Sequence, residues 1–513
     1  MGTYPLVILK IAKGSVALTH IYSEYLSKIN LSKTELRYTF LEHWPDKEAH
    51  MEFFGREQEL SEMERAFASE KFEAVLLYGR RRVGKTELIR QALEEADGSL
   101  IISCECKRAS FAVNLRHLSA RIASALKLPA DYVFPSFDAL LDAVFDAASR
   151  QKVVFVIDEF SFLLREDPSV DSSLAIAIDA HRHDSLLKIV LSGSYVDLME
   201  HLVDAASPLY GRFTHIIHLM PFDYFTAARF YPNYIPADKV LMYATMGGVP
   251  YFNSLIDPDK PAIDNVIELI VRKDSILEHE VSEMLLAETN KIAGLNTIIE
   301  LVGSDVRKYS DIMGRVSQDK RVNPSYALAR LQGMGILRKV EPINAKGNKK
   351  RTFYAFGDNL VHFYYRYVFR YLAERNIMAP RDFFSEFVQH DLDAVYLPKK
   401  FEELAAQGIA RMSRLHRIEP LVYEVGTYSF DDARARVNRQ FDVVTRDAEG
   451  YTSYECKFTN APIDSRVAAE EERQVRDLDI DFYRLGFISK SGFAGDVDPN
   501  RYVLVALDDL YAE

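Results

Sequence analysis

Cysteine is scarce in this 513-residue chain: Cys104, Cys106 and Cys456 are the only three. They are too few for a disulfide framework, and Cys104-x-Cys106 has neither the spacing nor the His or Cys partners of a zinc site. Small buried hydrophobes in a reducing cytoplasm are the expectation. Also missing is any stretch near the ~20 apolar residues that a membrane span requires. The apolar start, Tyr4 to Leu18, is broken by Lys10 and Lys13 and has no small-residue cleavage site behind an uninterrupted core. No signal peptide is therefore expected. A basic excess is lacking as well: the formal net charge is −12, which gives no overall attraction to nucleic acid. What is present is ordinary globular material, 48% hydrophobic and 27% charged, which excludes general disorder. The length exceeds what one core can hold and implies roughly three or four domains. The organised pattern begins at Glu52-Phe53-Phe54-Gly55-Arg56-Glu57, directly after Met51, so residues 1–50 are expected to be an extension of unclear role.

Ala74-Val75-Leu76-Leu77-Tyr78 reads as a short buried strand, and Glu87 to Leu93 carries apolar residues at helical spacing. Between them lies Gly79-Arg80-Arg81-Arg82-Val83-Gly84-Lys85-Thr86. Strand, glycine-rich loop and helix form the context in which Gly-x4-Gly-Lys-Thr binds phosphate. The glycines let backbone N–H groups turn inward around a β-phosphate, and the helix N-terminus adds partial positive charge. Lys85 is expected to reach the β- and γ-phosphates, and the Thr86 hydroxyl to sit on Mg²⁺. ATP and Mg²⁺ are thus the expected cofactors.

Val153-Val154-Phe155-Val156-Ile157 ends in Asp158-Glu159, the pattern of a central parallel strand delivering two acids at its C-terminal edge. Asp158 is expected to hold magnesium through water, and Glu159 to orient or deprotonate the attacking water. A third strand, Lys188-Ile189-Val190-Leu191, ends in Ser192-Gly193-Ser194, where a small polar residue such as Ser194 is placed to sense the γ-phosphate. Arg212 precedes another apolar strand, Thr214 to Leu219. It is either a surface arginine or an arginine finger aimed at a neighbouring copy's γ-phosphate, which makes a homo-oligomer one expectation.

Five segments now stand in order: Phe54-Gly55-Arg56-Glu57, Asp158-Glu159, Ser192-Gly193-Ser194, Leu209-Tyr210-Gly211-Arg212 and Gly247-Gly248-Val249-Pro250-Tyr251. With the phosphate loop they resemble the archaeal-type AAA+/STAND ATPases, relatives of the origin-recognition initiators that also occur in bacteria. The resemblance implies that Arg56 lies by the nucleotide and that Pro250, in a helical lid, packs on the adenine.

Residues 221–285 show helical patterning, with Phe222, Phe225 and Ala228 at successive spacings of three; a core stripe explains them. From about Lys291 the order is helix, helix, helix, hairpin: Ile292 to Val302, Tyr309 to Arg315, Asn323 to Leu331, then Ile336 to Val340 and Thr352 to Phe356. Asn323 is a natural N-cap and Pro324 suits the first helical position. That order is a winged helix-turn-helix. Between Asp305 and Arg351 twelve Lys or Arg face four Asp or Glu, a local +8 in an acidic chain. Ser325, Tyr326 and Arg330 are the candidates for a DNA groove, and Lys349, Lys350 and Arg351 for phosphate contact. A protein-contacting module, or one that is merely basic and soluble, is the alternative.

Aromatic-rich Asn359 to Phe369 leads to a last unit beginning near Phe401. Arg439 to Thr445 and Tyr451 to Phe458 form a hairpin around Asp447-Ala448-Glu449-Gly450. A turn centred between Ala448 and Glu449 pairs Asp442 with Glu455 and puts Lys457 on the face of Glu455. Two opposed carboxylates repel unless a cation lies between them, and a divalent metal resolves the conflict. An acidic helix, then Asp, then Glu-x-Lys on adjacent strands resembles the PD-(D/E)XK nucleases, with Glu402 or else Glu403 as the helix acid. One departure is Phe441, where that family's motif has proline. The resemblance implies a nuclease; a retained fold that binds without cutting is the alternative.

The expected fold class is α/β. It comprises a P-loop ATPase core over 51–220, a helical lid over 221–285, a winged helix-turn-helix over 286–357, a helical linker over 358–400 and a PD-(D/E)XK nuclease-like domain over 401–513. The expected activity is ATP hydrolysis with DNA binding and control of a metal-dependent nuclease. The alternative is a STAND-like regulatory ATPase, and a transcription factor acting through the winged module is a third. No membrane partner is expected.

Overall fold

Five short apolar runs become the strands β1 (Glu73–Tyr78), β2 (Leu100–Glu105), β3 (Val153–Asp158), β4 (Leu187–Gly193) and β5 (His215–His218). In this computed structural model, residues 53–96, 98–289, 294–316, 322–432, 437–478, 480 and 482–513 are described. The extension expected over 1–50 lies outside them, as does Ile292. The chain divides into the units Met1–Phe54 and Gly55–Glu513, and every element named below belongs to the second.

The five strands form one sheet in the order β2-β3-β4-β1-β5, with every neighbouring pair parallel. Buried on both faces, β3 and β4 have no exposed position, and β1 has none from Ala74 onward. That is why they read as continuous apolar runs rather than alternating ones. Parallel strands need crossovers, and helices supply them: α1 (Glu57–Ala68) leads in, α2 (Lys85–Glu94) follows β1, α3 (Phe111–Ala125) and α4 (Phe137–Ala148) follow β2, and α5 (Phe160–Glu166) and α6 (Val170–His181) follow β3. The parallel direction brings the loops after β1, β3 and β4 to the same edge, where ligands of open α/β sheets bind.

Lys188 interrupts this apolar sheet. It is fully buried in β4 and donates a hydrogen bond to the Lys71 carbonyl. Burial pushes its ammonium down from 10.5 to about 8. The unfolded chain therefore holds more protons between those two values, so stability rises with pH through that window and the desolvation cost is fully present below it. Lys188→Met is expected to stabilise the protein at pH 7 by roughly 1–3 kcal/mol and to flatten that rise. Melting temperatures of both proteins from pH 7 to 10 check this, and a variant less stable at pH 7 would contradict it.

Beyond β5 the chain is helical, including α7 (Pro236–Met246), α8 (Leu295–Gly303), α9 (Tyr309–Val316) and α10 (Pro324–Gly333). Asn323 caps α10, accepting the Tyr326 N–H at 3.1 Å, with Pro324 at the first position. Strands β6 (Leu337–Val340) and β7 (Phe353–Phe356) then pair antiparallel, and Lys308 bridges to Phe353. The hydrophobic core here is continuous from Ala228 through Leu337 to Leu397. The segments expected to be lid, three-helix module and linker thus share one core. Aromatics of the linker (Phe363, Tyr365, Tyr367) fill the space that short helices alone leave open.

The last unit starts with α11 (Leu397–Arg414) and continues through β8 (Glu424–Asp432), β9 (Val437–Arg446), β10 (Tyr451–Lys457), α12 (Ser465–Arg476), β11 (Phe482–Ser489) and β12 (Tyr502–Ala506). Its sheet runs β12-β11-β10-β9-β8, antiparallel across β8, β9 and β10 and parallel across β10, β11 and β12. α11 lays Phe401, Leu404, Ala405 and Ile409 on the sheet, and Tyr224 and Val240 join the same core. Among the described residues no helix is long and apolar enough to cross a membrane.

Candidate active site

The loop after β1 is shaped by what glycine allows. Gly84 sits at φ 93°, a left-handed conformation that L side chains rarely adopt, and caps α2 so that Lys85 and Thr86 start the helix. At Gly79 an added Cβ would meet the Leu219 carbonyl oxygen at 2.3 Å, so only glycine lets the loop leave β1 here. Lys85 Nζ donates to the carbonyls of Gly79 (3.0 Å) and Arg80 (3.1 Å) and to Ser194 Oγ (2.8 Å). Burial lowers its pKa, opposed by the nearby Glu159 and Asp158 carboxylates.

The sheet edge assembles the rest. Thr86 Oγ1 donates to Asp158 Oδ2 at 2.7 Å, and Ser192 and the Glu159 N–H donate to Asp158 Oδ1, the latter at 3.0 Å. Glu159 stands at φ 52° at the start of α5, which turns its side chain away from Asp158 and toward β4. There the Ser194 hydroxyl donates to Glu159 and the Ser194 N–H reaches Glu159 Oε2 at 3.2 Å. Lys85, Ser194, Glu159, Asp158 and Thr86 therefore form one hydrogen-bonded cluster across three loops. A hydroxyl and a carboxylate in direct contact are hard oxygen donors, a set that suits Mg²⁺.

The other loop residues reach outward. Arg56 is buried, donates to the carbonyls of Val83 (3.2 Å) and Met220 (2.7 Å) and lies over the Phe222 ring at 4.1 Å. Arg82 pairs with Glu280 (2.6 Å) and stacks on Tyr251 at 4.0 Å, while Arg80 pairs with Asp358 (2.5 Å). Arg81 is exposed, and Val83 is buried beneath the loop. Pro250 begins the short helix Pro250–Ser254. An added Cβ on Gly248 would lie 1.8 Å from the Phe222 carbonyl oxygen, so the segment before Pro250 is pressed against the end of the core. Arg212 is bound within its own chain: Nε and Nη2 reach Asp179 of α6 at 3.1 and 2.5 Å.

In the C-terminal unit β9 and β10 pair with Arg446 opposite Tyr451 and Val443 opposite Tyr454. This is the register the hairpin predicts, and one residue further it sets Asp442 opposite Glu455. Glu402, from α11, hydrogen-bonds Asp442; burial, then the Asp442 and Glu455 charges, push its carboxyl up to about 8. Glu403 turns away to pair with the buried Lys400 at 3.3 Å. Lys457 is clamped between Glu455 (2.8 Å) and Glu471 of α12 (2.7 Å); burial lowers its pKa, but these hydrogen bonds outweigh it and hold the ammonium charged. Asp442 also accepts from Gln440 at 2.6 Å. Among the described residues no three His, Cys, Asp or Glu side chains are arranged to hold a metal ion. The expected ligands Glu402, Asp442 and Glu455 thus gather at one place without forming a ligand set, because a proton and Lys457 already offset their charge.

Of the basic candidates, Ser325, Tyr326, Lys349 and Lys350 are exposed. Arg330 instead pairs with Asp197, just beyond Ser194, and Arg351 donates to the Ser429 carbonyl of β8 at 3.3 Å. Asp179, Asp197, Asp358 and Glu471 carry no local signal in the sequence. Each is a lone acid whose partner is distant along the chain.

Residues 53–252 match a family described as an ATPase domain predominantly from Archaea, and residues 364–475 match one described as Archaea bacterial proteins of unknown function. An uncharacterized protein of Methanocaldococcus jannaschii is 26% identical over 379 residues, covering 73% of this chain and 81% of that protein. Among solved structures, a Walker-type ATPase of Pyrococcus abyssi aligns with a TM-score of 0.47 and 20% identity, over 63% of this chain and 99% of that one. The Aeropyrum pernix ORC2 protein, in its ADPNP-ADP complexes, aligns with a TM-score of 0.43 and 14% identity, over 67% of this chain and 99% of that one. The match over residues 53–252, with the cluster around Lys85, identifies the chain as an ATPase whose P-loop domain is similar to those found predominantly in Archaea.

Proposed function

We propose that the protein is an ATP-controlled, DNA-binding enzyme: a P-loop core (51–220) and lid (221–285) act through a winged helix-turn-helix (286–357) and a linker (358–400) on a PD-(D/E)XK-like domain (401–513). At the nucleotide, Lys85 binds the β- and γ-phosphates, Ser194 senses the γ-phosphate, Glu159 takes or orients the proton of the attacking water, and Arg56 and Pro250 frame the base side. Thr86 holds Mg²⁺ directly and Asp158 through water. The ion, when bound, supplies charge neutralisation along the phosphates. Arg212 becomes an arginine finger for a second copy once it leaves Asp179. Ser325 and Tyr326 face a groove, and Lys349 and Lys350 face the phosphate backbone.

The observation that carries the nuclease reading is the convergence of Glu402, Asp442, Glu455 and Lys457 at one end of β9 and β10. Three carboxylates drawn together at the cost of protonating one are a cluster suited to a divalent cation. Lys457 is placed to stabilise developing negative charge. A second reading, a domain that binds nucleic acid without cutting, is favoured by the clamp of Lys457 between Glu455 and Glu471 and by the absence of a formed ligand set among the described residues.

Plasmid and oligonucleotide DNA incubated with Mg²⁺ or Mn²⁺, with and without ATP, separates the two. The wild type is expected to cut in a nucleotide-dependent manner, and Asp442→Ala to lower cutting by about 10²-fold or more. Intact substrate with both proteins would leave the binding-only reading.

A further inference from the structure

Arg80 lies inside the phosphate loop, yet its partner is 278 residues away in sequence, at the junction between the two family matches. The Arg80 side chain is 15% exposed and that of Asp358 is 3% exposed, so the pair is shielded from competing water. Asp358 is held on every side. Its Oδ1 accepts the Val361 N–H at 3.0 Å and caps the helix Asn359–Phe363, while its Oδ2 has Arg80 as its ion-pair partner. The next residue is pinned twice: Asn359 donates to the Tyr243 carbonyl of α7 at 2.8 Å and accepts from Lys400 of α11 at 2.9 Å. The carboxylate is therefore the fixed member, and the flexible guanidinium is the one it orients. Arg80 has further donors, one of which meets only the weak acceptor Met284 Sδ at 3.8 Å.

We infer that Asp358 is a positioning residue of the ATP site, holding the Arg80 guanidinium beside the phosphate loop so that its remaining N–H donors meet the nucleotide's phosphates. The inference rests on the reading of Gly79 to Thr86 as the phosphate cradle. A guanidinium presents a planar fork of donors, and fixing one edge on a carboxylate removes the rotamer freedom otherwise lost on binding. Because Asp358 lies outside the matched ATPase domain, the site is completed by the segment that leads to α11 and the C-terminal sheet.

A double-mutant cycle in the full-length protein tests this. Asp358→Asn keeps a side-chain oxygen to cap Val361 but loses the charge that holds Arg80. It is expected to raise KM for ATP about tenfold, with kcat changed by less than about twofold. Arg80→Ala is expected to do the same, and the double variant to be no worse than either alone. Asp358→Glu should recover part of the loss. Independent, multiplying effects of the two substitutions, or an Asp358→Asn protein with wild-type KM, overturn the inference. Lys85→Ala, run in parallel, reports on the cradle itself: retained turnover there would fault the cradle reading, whereas lost turnover with an additive cycle faults only Asp358.

Discussion

Replacing Lys85 with alanine is expected to lower kcat/KM for ATP by about 10²–10³-fold while the protein stays folded. The ammonium is at once the cluster's strongest donor and a group kept from water. Its Nζ already meets three oxygens, from Gly79, Arg80 and Ser194. Burial alone would cost the charged form, and the Asp158 and Glu159 carboxylates nearby offset that cost. A triphosphate offers more negative charge than either carbonyl, so its arrival replaces weak neutral acceptors with charged ones. Alanine removes that exchange. Far-UV circular dichroism and a steady-state ATPase assay of the purified variant check the result, and turnover within a factor of a few of the wild type would remove Lys85 from the mechanism.

Glu159→Gln is expected to act differently, because it keeps shape and loses the base. Turnover should fall by about 10²–10⁴-fold with nucleotide affinity changed by no more than a few-fold. Glu159 and Asp158 are neighbours in sequence but not in role. The left-handed backbone at Glu159 swings its carboxylate to Ser194, while Asp158 points at Thr86. Substitution at Asp158 should therefore weaken nucleotide binding in the presence of Mg²⁺, and substitution at Glu159 should not. Isothermal titration with a slowly hydrolysed ATP analogue, beside single-turnover kinetics, separates these effects. A Glu159→Gln protein that binds poorly would mean that Glu159 is a structural prop of the loop after β4.

Much of this was legible in the sequence because parallel sheets are read locally. A strand buried on both faces must be apolar throughout, so Val153 to Ile157 announced β3, and the acids after it had to emerge at the same edge as the loop after Tyr78. The β9–β10 register was legible for a similar reason: a short turn fixes pairing by symmetry, and Val443 opposite Tyr454 followed from the Asp447–Gly450 turn. What stayed hidden were partners chosen by tertiary packing. Nothing near Arg80 names Asp358, and nothing near Arg330 names Asp197. Composition also says nothing of shared cores. The aromatic stretch around Phe363 looked like a linker, but it packs into the same core as the helices on either side. Carboxylate clusters were half legible: spacing brought Asp442 and Glu455 together, whereas the tie of Lys457 to Glu471 depends on how α12 lies on the sheet.

The nucleotide cradle is tested most directly by a crystal structure with an ATP analogue and Mn²⁺. The triphosphate should lie in the loop from Gly79 to Thr86, with an anomalous manganese peak beside Thr86 Oγ1 and within one water of Asp158. A nucleotide bound elsewhere, or a metal peak remote from Thr86 and Asp158, would contradict the ATPase mechanism and the control of the C-terminal domain that depends on it.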